Sequence, residues 1–244
     1  MGSDAEALRE PAPSKASLWE DFVDIFYAPS SVFARRADGK FGLPLAILIV
    51  VSTILVYLTI NAMQPVMDAE FARRSADMLA KNPNMTEEQL SQGRKFFENF
   101  GPIFFAFGTL IGVLGTGVVI WLVGKLFDAK EGLSAAIMIA TYSEVPRVVQ
   151  VLINAAQGLF MPPEKLTSFA SLTLSPARFM NPDSSPIMLA LATRFDLFTI
   201  WITVLLAIGI YVVGKIPRQQ AAIVAAIAWL VGALPAILGA LQQG

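Results

Sequence analysis

A chain of 244 residues that is 55% hydrophobic and only 15% charged has the composition of a protein housed in a bilayer, because soluble domains carry about 25% charged residues. It contains no cysteine and no histidine, which removes disulfides, thiolate nucleophiles, the commonest general base and the commonest transition-metal ligand together. A net charge of −1 gives nucleic acid no electrostatic footing.

Residues 1–16 are small, polar and proline-containing, and read as a disordered tail. No apolar core follows the start, as a signal peptide would require. Glu6 stands where the myristoylation pattern wants Ser or Thr. Residues 17–36 form an amphipathic segment. Ser17 with Glu20 makes a capping box, and Leu18, Phe22, Ile25 and Phe26 follow at helical spacing. Its polar face carries Glu20, Asp21 and Asp24, a poor match for lipid headgroups. A surface helix docked against the protein's own spans is therefore expected.

Five stretches meet the length of about 20 apolar residues needed to cross a membrane: about 41–63, 101–125, 133–160, 188–214 and 219–241. The fold class that follows is an all-α integral membrane protein, a bundle of five transmembrane helices with an N-terminal amphipathic surface helix. Between the first two spans lies a polar segment, 64–100, with charges of both signs. It is broken at Asn82-Pro83-Asn84 and restarts at Thr86-Glu87-Glu88-Gln89, with Thr86 as cap. It reads as two short extramembrane helices or as extensions of the spans. In the second span Gly108, Gly112 and Gly115 lie three or four apart, a small-residue stripe of the kind used for close helix packing. Phe127 to Gly132 is a tight connection, so spans two and three should be antiparallel neighbours. The segment 161–187 holds Pro162, Pro163, Pro176, Pro182 and Pro186 and reads as an irregular loop. Lys215 to Arg218 is a short basic turn before an alanine-rich fifth span.

The positive-inside rule, weighted towards short loops, puts Arg35, Arg36, Lys40, Lys125, Lys130, Lys215 and Arg218 in the cytoplasm. The N-terminus is then inside and the C-terminus outside.

The third span carries the chemistry that needs explaining, Tyr142-Ser143-Glu144-Val145-Pro146-Arg147. Glu144 and Arg147 are three residues apart and share a helix face. Each ionised group near the bilayer centre costs at least about 2.5–3.5 kcal/mol on insertion scales. Pro146 deletes a backbone hydrogen bond and should kink the helix near Tyr142 and Ser143. Arg194 and Asp196 fall just inside the start of the fourth span. Three arrangements are open. Glu144 pairs with Arg147 along one helix, or Arg147 pairs with Asp196 and Glu144 with Arg194 across two, fixing helix register. Alternatively, Glu144 at the kink is a protonatable group lining a water path, or Arg194 and Asp196 are simply interfacial. No catalytic set, phosphate loop or metal-ligand cluster stands beside them, so neither enzymatic activity nor a cofactor is expected.

Several stretches taken together resemble the Yip-one domain family of Ypt/Rab-interacting membrane proteins, in particular its prokaryotic branch. They are Trp19 to Phe33 with its Ala28-Pro29, Gly124-Lys125-Leu126-Phe127, Gly132, Ala140 to Pro146 with a Tyr-Ser-x-x-Pro core, and Phe195 to Trp201. The resemblance implies a non-enzymatic five-helix membrane domain with a cytoplasmic N-terminus, acting as an accessory or scaffold component of a transport or trafficking assembly. Its partners would be the lipid bilayer and a membrane protein or a second copy of itself, with no nucleic acid. The alternative is a small transporter or channel using Glu144 and Arg147.

Overall fold

Helices start where the sequence supplies caps. Ser17 accepts from the Glu20 N–H while Glu20 accepts from the Ser17 N–H, and Thr86 and Gln89 do the same for a second helix. Each reciprocal pair satisfies two of the four N–H groups that a helix start leaves unpaired. The computed structural model describes residues 17–82 and 84–241. The expected tail 1–16 lies outside the described residues.

The element order is α1 (Leu18–Asp24), α2 (Pro29–Arg35), α3 (Gly42–Thr59), α4 (Gln64–Lys81), α5 (Glu87–Lys125), α6 (Leu133–Ser143), α7 (Pro146–Phe160), α8 (Pro186–Arg194), α9 (Leu197–Gly214), α10 (Arg218–Val231) and α11 (Leu234–Leu241). Among the described residues there is no strand. Five helices are long and apolar enough to cross a membrane: Gly42–Lys81, Glu87–Lys125, Leu133–Phe160, Leu197–Gly214 and Arg218–Leu241. The protein is an all-α integral membrane protein.

The polar segment 64–100 is resolved in favour of span extensions. A 3-10 turn, Ile60–Met63, carries α3 straight into α4. Thr86 opens a 39-residue α5 that runs through Pro102 to Lys125. The fourth span begins later than the sequence suggested. The stretch 188–214 divides at Phe195-Asp196 into α8 and α9. Asp196 adopts extended backbone (φ −66°, ψ 138°) and uses its carboxylate to cap α9, so the helix restarts there. Between α7 and α8, the proline-rich segment forms three 3-10 turns.

α6 is the axis of the bundle. Every residue from Ala135 to Ser143 is buried, packed by α5 on one side and α9 on another. Glycines on those two neighbours make this possible. A Cβ on Gly117 would lie 2.7 Å from Ile137 Cγ1 and 2.8 Å from Ile137 Cα. One on Gly209 would meet the Ile139 side chain at 2.5 Å. The expected packing stripe does not serve this purpose. A Cβ on Gly108, Gly112 or Gly115 would meet nothing within 4 Å. The stripe lies on a different face of α5 from the buried row Val113, Gly117, Ile120 and Gly124, and among the described residues the close-packing glycines are Gly39, Gly117, Gly124, Gly158, Gly209 and Gly214.

Pro146 bends the third span as expected. Without an N–H it leaves the Tyr142 carbonyl free, and Val145 N–H takes that carbonyl instead at 3.3 Å. Arg147 N–H to Glu144 O at 2.9 Å continues the tighter spacing before α7 resumes.

α1 docks on the protein's own helices. Ile25 is fully buried, Phe22 packs on the Tyr142 ring at 5.7 Å, and Phe26 meets Trp201 edge-on at 5.4 Å. Tyr142 lies about 14 Å along the helix from Leu133 at 1.5 Å per residue, so α1 reaches well past the ends of the spans. The acidic face that suits no headgroup is answered within the chain. The buried Asp21 carboxylate takes Arg35 at 2.7 Å and also Arg36, and Asp24 takes Arg35 at 2.6 Å.

Gly117→Ala should cost about 1–3 kcal/mol, because an added Cβ collides with α6 backbone. Gly108→Ala should be neutral or gain up to about 1 kcal/mol from helix propensity. Thermal unfolding of the two variants in detergent tests this, and equal melting temperatures would contradict the packing just described.

Candidate functional site

The break between α8 and α9 exists to place one carboxylate. Asp196 is 2% exposed. Its Oδ1 accepts from the Phe198 N–H at 3.0 Å and the Thr199 N–H at 3.4 Å, where a negative charge also meets the positive end of the helix dipole. The same oxygen accepts from Gln150 Nε2 at 3.2 Å, and Oδ2 accepts from the Leu174 N–H at 2.8 Å. The Leu197 N–H returns a bond to the Leu174 carbonyl at 3.1 Å. One side chain therefore ties α9, α7 and the proline-rich segment together.

From Gln150 the network runs to the opening motif. Arg147 Nη1 donates to Gln150 Oε1 at 3.2 Å, and Arg147 Nε pairs with Glu144 Oε2 at 2.6 Å. Of the arrangements left open by the sequence, the pair along one helix forms. The cross-span pairs do not. Arg147 reaches Asp196 only through Gln150, and Arg194 makes no ion pair with Glu144 or Asp196. Its Nη2 donates to the Trp229 carbonyl at 2.6 Å and its guanidinium lies 5.4 Å from the indole centroid, while Trp229 Nε1 donates back to the Arg194 carbonyl at 3.2 Å. Arg194 Nε is buried without a partner. Tyr142 and Ser143 belong to the other side of the kink. Both are buried among core residues, and neither hydroxyl has a partner.

The charged half of the motif opens onto a cavity of about 590 Å³. Arg147, Gln150, Arg194 and Asp196 line it together with Glu70, Arg73 and Arg74 from α4 and small residues of α11. Glu70 Oε1 accepts from both Arg73 and Arg74 at 2.6 Å. The sequence places this α4 group in the polar segment 64–100, with no link to the charged motif of the third span. The available signal was the Glu70-Arg73-Arg74 spacing, which puts all three on one face two to three turns beyond the first span. Gln150 gave no signal of its own.

A second buried carboxylate lies at the other end of the bundle. Glu131, in the connection before α6, is 3% exposed and neither oxygen has a hydrogen-bond partner. It is wedged between α5 and α9, where a Cβ on Gly124 would lie 2.7 Å from Oε1 and one on Gly214 2.5 Å from Oε2. Burial pushes its carboxyl above the ordinary 4.5, opposed more weakly by its own backbone N–H and by Lys125. Among the described residues no group of three or more Asp or Glu side chains is placed to hold a metal.

Five helices among the described residues that are long and apolar enough to cross a membrane define a polytopic helical membrane protein. The family model described as Yip1 domain matches residues 23–239, and the chain belongs to that family. No curated protein and no solved structure matches it.

Asp196→Asn should cost about 1–3 kcal/mol, because an amide nitrogen cannot accept from the buried Leu174 N–H. Chemical or thermal denaturation in detergent measures it, and an unchanged midpoint would refute the tie. Glu131 gives a pH signature. A carboxyl raised on folding adds stability that is present below its unfolded value and is lost as pH rises through its folded value. The melting temperature should fall as pH is raised from about 4.5, and Glu131→Gln should flatten that slope. A slope that survives the substitution would contradict the assignment.

Proposed function

We propose that the protein is a non-enzymatic accessory or scaffold component of a membrane assembly, transport- or trafficking-related, that works through lateral helix contact. The observation that carries this reading is the open glycine face of α5. Gly108, Gly112 and Gly115 form a stripe fit for close helix approach, yet among the described residues a Cβ on any of them would meet nothing within 4 Å. Only 17% of the apolar window of α5 is buried within the chain, against 56% for the third span. A partner membrane protein or a second copy would seat a helix there. The remaining α5 surface, with Phe104, Phe107 and Ile111 exposed, suits lipid contact.

The orientation that goes with this reading puts the N-terminus and the basic connections around Lys125, Lys130, Lys215 and Arg218 in the cytoplasm, in a prokaryotic inner membrane, with the C-terminus outside. The charged motif supports the non-catalytic part of the reading, since Glu144, Arg147 and Asp196 are occupied with one another's support.

One observation favours a second reading, a small transporter or channel: Arg147 lines the large cavity. In that case proteoliposomes should show proton or solute flux above empty liposomes, reduced by Glu144→Gln. Flux equal to that of empty liposomes removes this reading.

The leading reading is tested by Gly112→Ile. A Cβ there meets nothing within the chain, so the monomer's melting temperature should hold within about 0.5 kcal/mol equivalent. Co-purification of a partner or crosslinking to a second copy in mild detergent should drop sharply. A wild-type protein that is monomeric and free of partners would contradict the scaffold role.

A further inference from the structure

The arginines of the large cavity are not all paired. Four line it, Arg73, Arg74, Arg147 and Arg194, with the carboxylates Glu70 and Asp196, and Asp183 lies 3.9 Å from Arg73 Nη1. Neither Glu70 nor Asp196 pairs with Arg194. Glu70 holds Arg73 and Arg74, and Asp196 is taken up by three backbone N–H groups and Gln150. Arg147 has Glu144. Among the described residues Arg194 makes no ion pair; its polar contacts are with the Trp229 carbonyl and ring.

Two guanidinium N–H groups are also unused. Arg194 Nε and Arg73 Nε are both buried and unpartnered, and both side chains line the same cavity from different elements, α8 and α4. A half-buried cation without an ion-pair partner, in a cavity lined by three further guanidinium groups, is a state that a bound anion relieves. At about 590 Å³ the space is of the size that small-ligand sites occupy. Phosphate suits the donors, since guanidinium offers its N–H groups in a fork matched to phosphate oxygens.

We infer that this cavity binds a phosphate-bearing anion, with Arg194 and Arg73 as its principal donors. The rest of the lining includes small and apolar residues, Leu189 and Ala190 of α8 and Ala236 and Gly239 of α11. The outward faces of those two helices expose Met188, Leu191, Leu234 and Leu238, as lipid contact requires. The headgroup of an anionic phospholipid and free inorganic phosphate share the recognised chemistry. The inference concerns a ligand of the chain alone and stands whether or not a protein partner covers α5.

The test uses the purified full chain in nonionic detergent, with thermal shift and native mass spectrometry as readouts. The probes are phosphatidylglycerol, inorganic phosphate and, as control, zwitterionic phosphatidylcholine. A saturable rise in melting temperature is expected with phosphatidylglycerol or with phosphate and not with phosphatidylcholine. A response to phosphatidylglycerol alone identifies a lipid headgroup, and an equal response to inorganic phosphate identifies the free ion. Arg73→Gln should weaken the response about tenfold, the usual scale for one charge-assisted contact. Gly239→Leu should weaken it as much by filling the cavity, without touching a charge and with an unliganded melting temperature close to wild type, since a Cβ there meets nothing within 4 Å. A response to neither probe, or one that either variant leaves unchanged, overturns the inference.

Discussion

Burying a carboxylate costs least where N–H groups surround it, and Asp196 is the place where this chain provides them. Four donors converge on it from α9, α7 and the proline-rich segment. Three of them are backbone groups that would otherwise be orphaned at a helix start or in a loop without ladder partners. The charge stabilises the irregular segment, and the irregular segment makes the charge tolerable. Gln150 passes the constraint to Arg147 and Glu144, so the position of the kinked third span and the start of the fourth are set together.

The same economy recurs at α1. Its acidic residues have no use for a headgroup layer because Arg35 and Arg36 neutralise them within the segment 17–36. Once neutralised, the segment can lay Phe22, Ile25 and Phe26 against the bundle rather than on a lipid surface. Tyr142 links the two regions physically, since it is fully buried under α1 and lies two residues before Glu144. Membership of the Yip1 domain family fits the bundle so assembled, with its Tyr-Ser-x-x-Pro stretch placed at the junction of core and cavity.

Much of this was legible in the chain. Spans, caps and the proline kink follow from local composition and spacing, and Ser17, Thr86 and Pro146 behave as their chemistry dictates. What the sequence hid was pairing across distance. Asp196 looked like a charge inside a helix because apolar residues flank it on both sides; its cap to Phe198 and Thr199 is local, but its tie to the Leu174 N–H spans 22 residues and left no sign in the sequence. The glycine stripe was legible as a stripe but not as unmet, because spacing along α5 says nothing of which neighbour lies opposite. Arg73 and Arg194 joined one cavity only through the path of α4 beyond the first span, and Glu131 looked like a loop charge until Gly124 and Gly214 closed over it.

The central claim is that Asp196 fastens three segments in a buried node at the edge of the cavity. Hydrogen exchange of the detergent-solubilised protein, resolved at the Leu174 and Phe198 amides, tests it most directly. The account requires both amides to exchange as slowly as those of α6. Rapid exchange at Leu174, with α6 still protected, would show that the segment is not tied to Asp196 and would contradict the account.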